Sequence, residues 1–162
     1  MTILRATLVA AFLALSLLPA KAAEPESLEA LGKAFCVAKD FAPEAAMKTL
    51  LTASLAAAVQ RAVEVNARIA AAHPDDKPPL GDGVPFQRFP DRAPVCEVGR
   101  ITGAGAGALI EIRHVFPGSA DASWSDRLLV GPGQTGGLGI DDVLYDATGD
   151  DSLRKLLGEV VE

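Results

Sequence analysis

Two periods of apolar residues divide the chain. Up to about residue 72 they recur every three or four positions, the spacing of one helix face; beyond Pro94 they alternate, the spacing of a strand with one side buried. Leu28, Leu31, Phe35 and Ala38 form the first stripe and predict a helix over 23–40. Pro25 and Ser27 suit its start, and Glu26 and Glu29 suit the positive end of its dipole. Ala42-Pro43 interrupts, and Pro43 fits the first turn of a short helix over 44–50. Thr52 is the expected N-cap of the main helix, 53–72. Leu55, Val59, Ala62, Val63, Asn66, Ile69 and Ala70 share one face there, while Gln60, Arg61, Glu64 and Arg68 lie elsewhere, so one side of this helix rests on a core. His73-Pro74 ends it.

A polar connection rich in proline and glycine spans 74–94. Twenty or so residues without regular structure are unusual inside a compact domain and are often functional. Leu80, Val84, Phe86 and Phe89 predict that this connection is pinned to the body of the protein. Four strands follow, at 95–102, 108–116, 124–130 and 138–145. Their turns are Gly103–Gly107, Pro117-Gly118-Ser119 and Gly131–Gly137. Ser152 caps a short last helix whose apolar side is Leu153, Leu156, Leu157 and Val160. Helices first, then consecutive strands joined by tight turns, imply an α+β fold with helices packed on one face of a four-stranded antiparallel sheet.

The N-terminus adds a destination. Arg5, the apolar run Ala6–Leu18, the break at Pro19 and the small-x-small triplet Ala20-Lys21-Ala22 follow the order of a secretory signal peptide. The run falls short of the roughly 20 apolar residues a spanning helix needs. Cleavage after Ala22 leaves 23–162 as a single domain of about 140 residues, periplasmic or secreted, with no stable membrane insertion. Losing Arg5 and Lys21 reduces the basic residues from 15 to 13 against 21 acidic ones, and the net charge goes from −6 to −8. No basic stripe accompanies this acidity, which excludes nucleic acid as a partner. Cys36 and Cys96, an even pair in an exported chain, form either a disulfide closing a loop of about 60 residues or two buried thiols. Two cysteines and two histidines without clustering give no zinc signature, and no cofactor or metal is expected.

The segment Ile140-Asp141-Asp142-Val143-Leu144-Tyr145, with Ser152-Leu153-Arg154-Lys155-Leu156-Leu157, resembles the C-terminal signature of a family of small exported bacterial proteins of unknown function. Those proteins look like members of the cystatin-like superfamily, which includes nuclear transport factor 2 and ketosteroid isomerase. Leu51–Leu55 and Pro79–Phe86 fit the same pattern, and the likeness covers most of 23–162. It implies a curved antiparallel sheet wrapped around a long helix. The family often has an aromatic residue just before Ile-Asp-Asp; Leu138-Gly139 stands there in this chain. The resemblance carries no activity and no catalytic residue.

Candidate chemistry is sparse. The alternate glycines of Gly103–Gly107 precede a strand rather than a helix, so they make a hairpin turn and not a phosphate loop. Asp141 and Asp142 would point to opposite faces of a regular strand, but Ile140 and Val143, apolar and three apart, predict a β-bulge at the aspartate pair that lets both apolar residues face the core. One of them then bonds to backbone or caps a neighbouring turn; the functional alternative is a general base at the mouth of a pocket, joined by His114, Asp126 and Tyr145. His114, among Ile112, Val115 and Phe116, also reads as a histidine satisfied at the edge of the core. Trp124, the only tryptophan, either packs in the sheet or anchors a partner. Asp82 and Phe86 are the binding candidates of the long connection, which either presents a binding edge or straps over one mouth of the fold. The expectation is a non-catalytic envelope protein, monomer or homodimer, that binds a small ligand or another envelope protein. A dehydratase- or isomerase-type enzyme using the concave sheet face is the first alternative, and an inhibitor or immunity-type partner the second.

Overall fold

The computed structural model describes residues 27–41, 43–81 and 83–162, so the signal segment and Asp82 lie outside the described residues. Ser27 opens helix α1 (Leu28–Phe41), its Oγ accepting the N–H of Ala30 at 3.1 Å. Helix α2 (Pro43–Leu50) leads into α3 (Ala53–Ala72), whose N-cap Thr52 accepts the N–H of Leu55 at 3.1 Å. Strands β1 (Val95–Thr102), β2 (Leu109–Val115), β3 (Trp124–Pro132) and β4 (Leu138–Leu144) pair in sequence order, all antiparallel. Helix α4 (Leu153–Val161) starts at Ser152, which accepts the N–H of Lys155. The α+β class, the four antiparallel strands and the short last helix are therefore as the apolar pattern implies.

Helix α1 lies on the sheet, and its Leu31, Phe35 and Ala38 are buried with Ile110, Ile112, Leu128, Ile140 and Val143. Cys36 of α1 and Cys96 of β1 stand in disulfide geometry, Cα atoms 5.6 Å apart and 60 residues apart in sequence. A cross-link over that loop is worth about 4 kcal/mol in the loop-entropy model. The long helix α3 packs mainly on α4 and on β4, so α1 is the helix that covers the sheet.

β3 runs two residues past its expected end, because Gly131 and Pro132 continue the ladder opposite Gly139 and Leu138. The composition of 131–137 reads as a loop, yet only 133–137 turns. Gly139 has a second consequence. A Cβ there would stand 3.2 Å from Thr52 N and 3.4 Å from the carbonyl oxygen of Leu50. Its absence lets Leu51 bridge Ile140 in parallel, with Thr52 N–H donating to the Ile140 carbonyl at 2.9 Å. A residue larger than glycine would push the connection between α2 and α3 off the β4 edge, which this contact protects. At its other end β4 is covered where Tyr145 N–H donates to Asp151 O.

Candidate functional site

The sequence-predicted residues separate into two groups. Asp141 and Asp142 sit in a β-bulge where expected: Leu129 faces Asp142, Val130 faces Ile140, and Asp141 is the extra residue. Ile140 and Val143 are both fully buried as a result. The two carboxylates do not converge on a pocket. Asp142 is buried, and its Oδ1 accepts the N–H groups of Val143 (2.8 Å) and Arg154 (3.0 Å), supplementing the N-terminal cap of α4. Asp141 is one-third exposed; its Oδ1 accepts the Thr52 hydroxyl at 2.8 Å and an Arg154 N–H at 2.7 Å. The pair thus joins the starts of α3 and α4 to the β4 edge.

His114, Trp124, Asp126 and Tyr145 do come together, at one end of the sheet face that α1 covers. The register makes His114 and Trp124 cross-strand partners, and their rings stack with centroids 4.6 Å apart. His114 Nε2 lies 3.0 Å from Asp126 Oδ2, both side chains with no exposed surface. The ring nitrogen is off the line of a hydrogen bond, and among the described residues neither His114 nitrogen nor Asp126 Oδ1 has a hydrogen-bond partner. The same Oδ2 accepts Trp124 Nε1–H and the backbone N–H of Arg88, each at 3.2 Å. Phe89 meets the Trp124 ring edge-on at 5.3 Å, with the Arg88 guanidinium 5.1 Å from the Phe89 ring centre. Tyr145 donates its hydroxyl to the Pro85 carbonyl. Burial, then the nearby Asp126, Asp142 and Asp151 charges, push the Tyr145 phenol far above its ordinary range, so it holds its proton.

Among the described residues, the side-chain hydrogen bonds of this cluster that leave the sheet end on the strap, 77–81 and 83–92. Leu80 N–H donates to Asn66 Oδ1 of α3 at 2.9 Å and fixes the strap's other end. Leu80 and Phe86 are buried; Phe89 is 42 % exposed. The strap therefore closes over the cluster, with Phe89 packed on Trp124 and Phe86 buried. Between strap, α1 and α2 runs a groove of about 1090 Å³, bordered by Lys39, Met47, Pro79, Phe86, Phe89 and Leu156. None of His114, Asp126 and Asp142 lines it.

The opposite face of the sheet carries residues that sequence reasoning passed over. A cleft of about 600 Å³ opens there among Arg88, Arg100, Arg127, Glu111, Ser125 and Asp146. The Arg127 guanidinium donates to the Asp146 carbonyl at 2.5 Å, and that of Arg88 to the Tyr145 carbonyl at 3.2 Å. Glu111 folds back across the bulge of β1: its Oε2 accepts the Arg100 backbone N–H at 2.9 Å, and its Oε1 the Ser125 hydroxyl at 3.2 Å. Gly99 makes this possible, since a Cβ there would stand 2.5 Å from Glu111 Oε2. The Arg100 N–H bond chiefly holds Glu111 below the usual glutamate range. Asp146 is also held low: burial opposes this, but the N–H of Gly149, the Thr148 hydroxyl and the N–H groups of Asp151 and Asp150 outweigh it. The available signal was the alternation Glu111, Arg113 and Ser125, Arg127 against buried neighbours, which marks an outward-facing charged set.

Among the described residues no group of three or more histidine, cysteine, aspartate or glutamate side chains could hold a metal ion, and no helix is long and apolar enough to cross a membrane. In comparisons with family models, curated proteins and solved structures, none matches this chain.

Proposed function

We propose that this chain is an exported, non-catalytic binding module of the bacterial envelope, built on a cystatin-like variant in which a strap closes one end of the sheet. The observation that carries this reading is the sealing of the acid–base groups. A general base must reach the proton it removes. His114 and Asp126 have no exposed surface, and Asp126 Oδ2 accepts from the strap and from Trp124. Asp142 is committed to the start of α4, and Tyr145 to the Pro85 carbonyl. The open spaces are bordered by prolines, aromatic residues and cationic side chains on one side, and on the other by Arg88, Arg100 and Arg127 with Glu111 and Asp146, whose carboxylates already accept backbone N–H groups. The order Arg5, Ala6–Leu18, Pro19, Ala20-Lys21-Ala22 supports export, and the Ile140–Tyr145 resemblance supports the superfamily.

The test is native mass spectrometry of the protein purified from the envelope of its own host. The expected result is a chain beginning at Ala23 that carries a non-covalent small molecule or partner. Incubation with the host's envelope metabolites should then leave every mass unchanged. A new product mass that disappears in His114→Gln or Asp142→Asn would overturn the non-catalytic reading.

A further inference from the structure

We infer that the cleft on the uncovered sheet face is an oxyanion site that takes the carboxylate or phosphate group of a small ligand. The inference names a ligand class for the binding module proposed above and rests on that reading. Three guanidinium groups from distant parts of the chain, Arg88, Arg100 and Arg127, border one cleft in a protein whose overall charge is −6. Two of them are oriented by neutral acceptors, the carbonyls of Tyr145 and Asp146. Carbonyls fix the direction of a guanidinium without cancelling its charge, and they leave its remaining N–H groups for another acceptor. The Arg100 guanidinium makes no hydrogen bond or ion pair of its own among the described residues; only its backbone N–H is bonded, to Glu111.

The two carboxylates at the cleft are already engaged. Glu111 accepts from Arg100 N–H and Ser125, and Asp146 from the N–H groups of Gly149 and Asp151. Among the described residues neither closes an ion pair with the three arginines, although the Arg113 and Arg100 charges reach Glu111, whereas Glu97 lies 2.9 Å from Arg113 on the same face. The difference separates a self-neutralised surface pair from a cationic cleft with unused donors. Planar guanidinium groups bind carboxylate and phosphate oxygens in pairs, which gives direction as well as charge. Leu109, Thr102 and Ala147 add apolar lining, and the volume of about 600 Å³ exceeds what a bare anion fills. The fitting ligand is an organic acid or phosphomonoester with a small body.

An amide-resolved NMR titration of the processed chain tests this, with inorganic phosphate, citrate and glycerol as separate probes at low ionic strength. The expected result is saturable shifts at Arg100, Glu111, Ser125, Arg127 and Asp146 with phosphate, citrate or both, and none with glycerol. Saturation by phosphate alone assigns a phosphoryl ligand, and saturation by citrate alone a carboxylate. Arg100→Gln should weaken binding about five- to tenfold, and Glu111→Gln should tighten it about two- to fivefold by removing the opposing charge. Arg113→Gln, beside the cleft but paired with Glu97, should leave it unchanged. Equal weakening by Arg100→Gln and Arg113→Gln, or silence with both anions, would overturn the inference. Silence here with a ligand retained in native mass spectrometry removes the oxyanion assignment alone. Turnover of an envelope metabolite removes the binding-module reading itself.

Discussion

The two faces of the sheet use the same strands to opposite ends. On the covered face, β2 and β3 bring together a histidine and an aspartate, residue types associated with catalysis, beside a tryptophan, and leave no exposed surface on the histidine and aspartate side chains. On the uncovered face, the neighbouring positions of those strands carry Glu111, Ser125 and Arg127, ordinary surface residues that border an open cleft. The first group is chemically rich and closed; the second is chemically plain and available. What separates them is burial: the His114 and Asp126 side chains have no exposed surface, whereas Glu111, Ser125 and Arg127 border an open cleft.

That contrast makes a graded set of expectations. Asp126→Ala should cost the most, about 2–4 kcal/mol, because it strips the Trp124 and Arg88 N–H groups of their acceptor and leaves a void beside the buried His114 ring. Chemical denaturation followed by Trp124 fluorescence measures it, since the chain has one tryptophan and that residue lies under the strap. Tyr145→Phe should cost about 1–2 kcal/mol by leaving the Pro85 carbonyl without its donor.

Tyr145 also sets an alkaline limb. Its folded pKa is raised above the unfolded value, which is about 10. Its contribution to stability is therefore fully present below pH 10 or so and is lost progressively as pH rises beyond it. Tyr145 is the only tyrosine, so tyrosinate absorbance should appear together with unfolding and not before it. Tyr145→Phe should flatten that limb. A tyrosinate signal in the folded protein near the ordinary tyrosine pKa would show that the covered face is open to water.

The smallest effects belong to the uncovered face. Arg100→Gln and Glu111→Gln should each change stability by no more than about 0.5 kcal/mol at neutral pH. The Glu111 carboxyl is held below its unfolded value, so its small contribution is present above the ordinary glutamate pKa and is lost as pH falls through the lower folded one. Glu111→Gln should remove this shallow acid limb from a thermal-denaturation series. Losses on this face as large as that of Asp126→Ala would erase the distinction between the two faces.

Much of the fold is legible along the chain, and the reasons are local. Thr52 and His73-Pro74 mark the ends of α3 because capping and proline sterics act within a few residues. The bulge is legible because Ile140 and Val143 both demand burial at a spacing that a regular strand forbids. The extension of β3 through Gly131-Pro132 is not, since its cause is the ladder with β4 and the Leu51 bridge at Gly139, far away in sequence. The sealing of His114 escapes sequence reading for the same reason. It depends on Arg88 N–H, 38 residues from Asp126. The arginine cleft draws on three separate segments, so no spacing announces it.

Hydrogen exchange of the Arg88 backbone amide tests the sealing most directly, because that N–H donates to Asp126 at the centre of the closure. The account predicts protection in the wild-type protein comparable to that of the sheet amides, and its selective loss in Asp126→Asn while β2 and β3 stay protected. Rapid exchange of Arg88 in the wild-type protein would mean that the strap swings open and exposes His114 to solvent, and the closed, non-catalytic reading would fail.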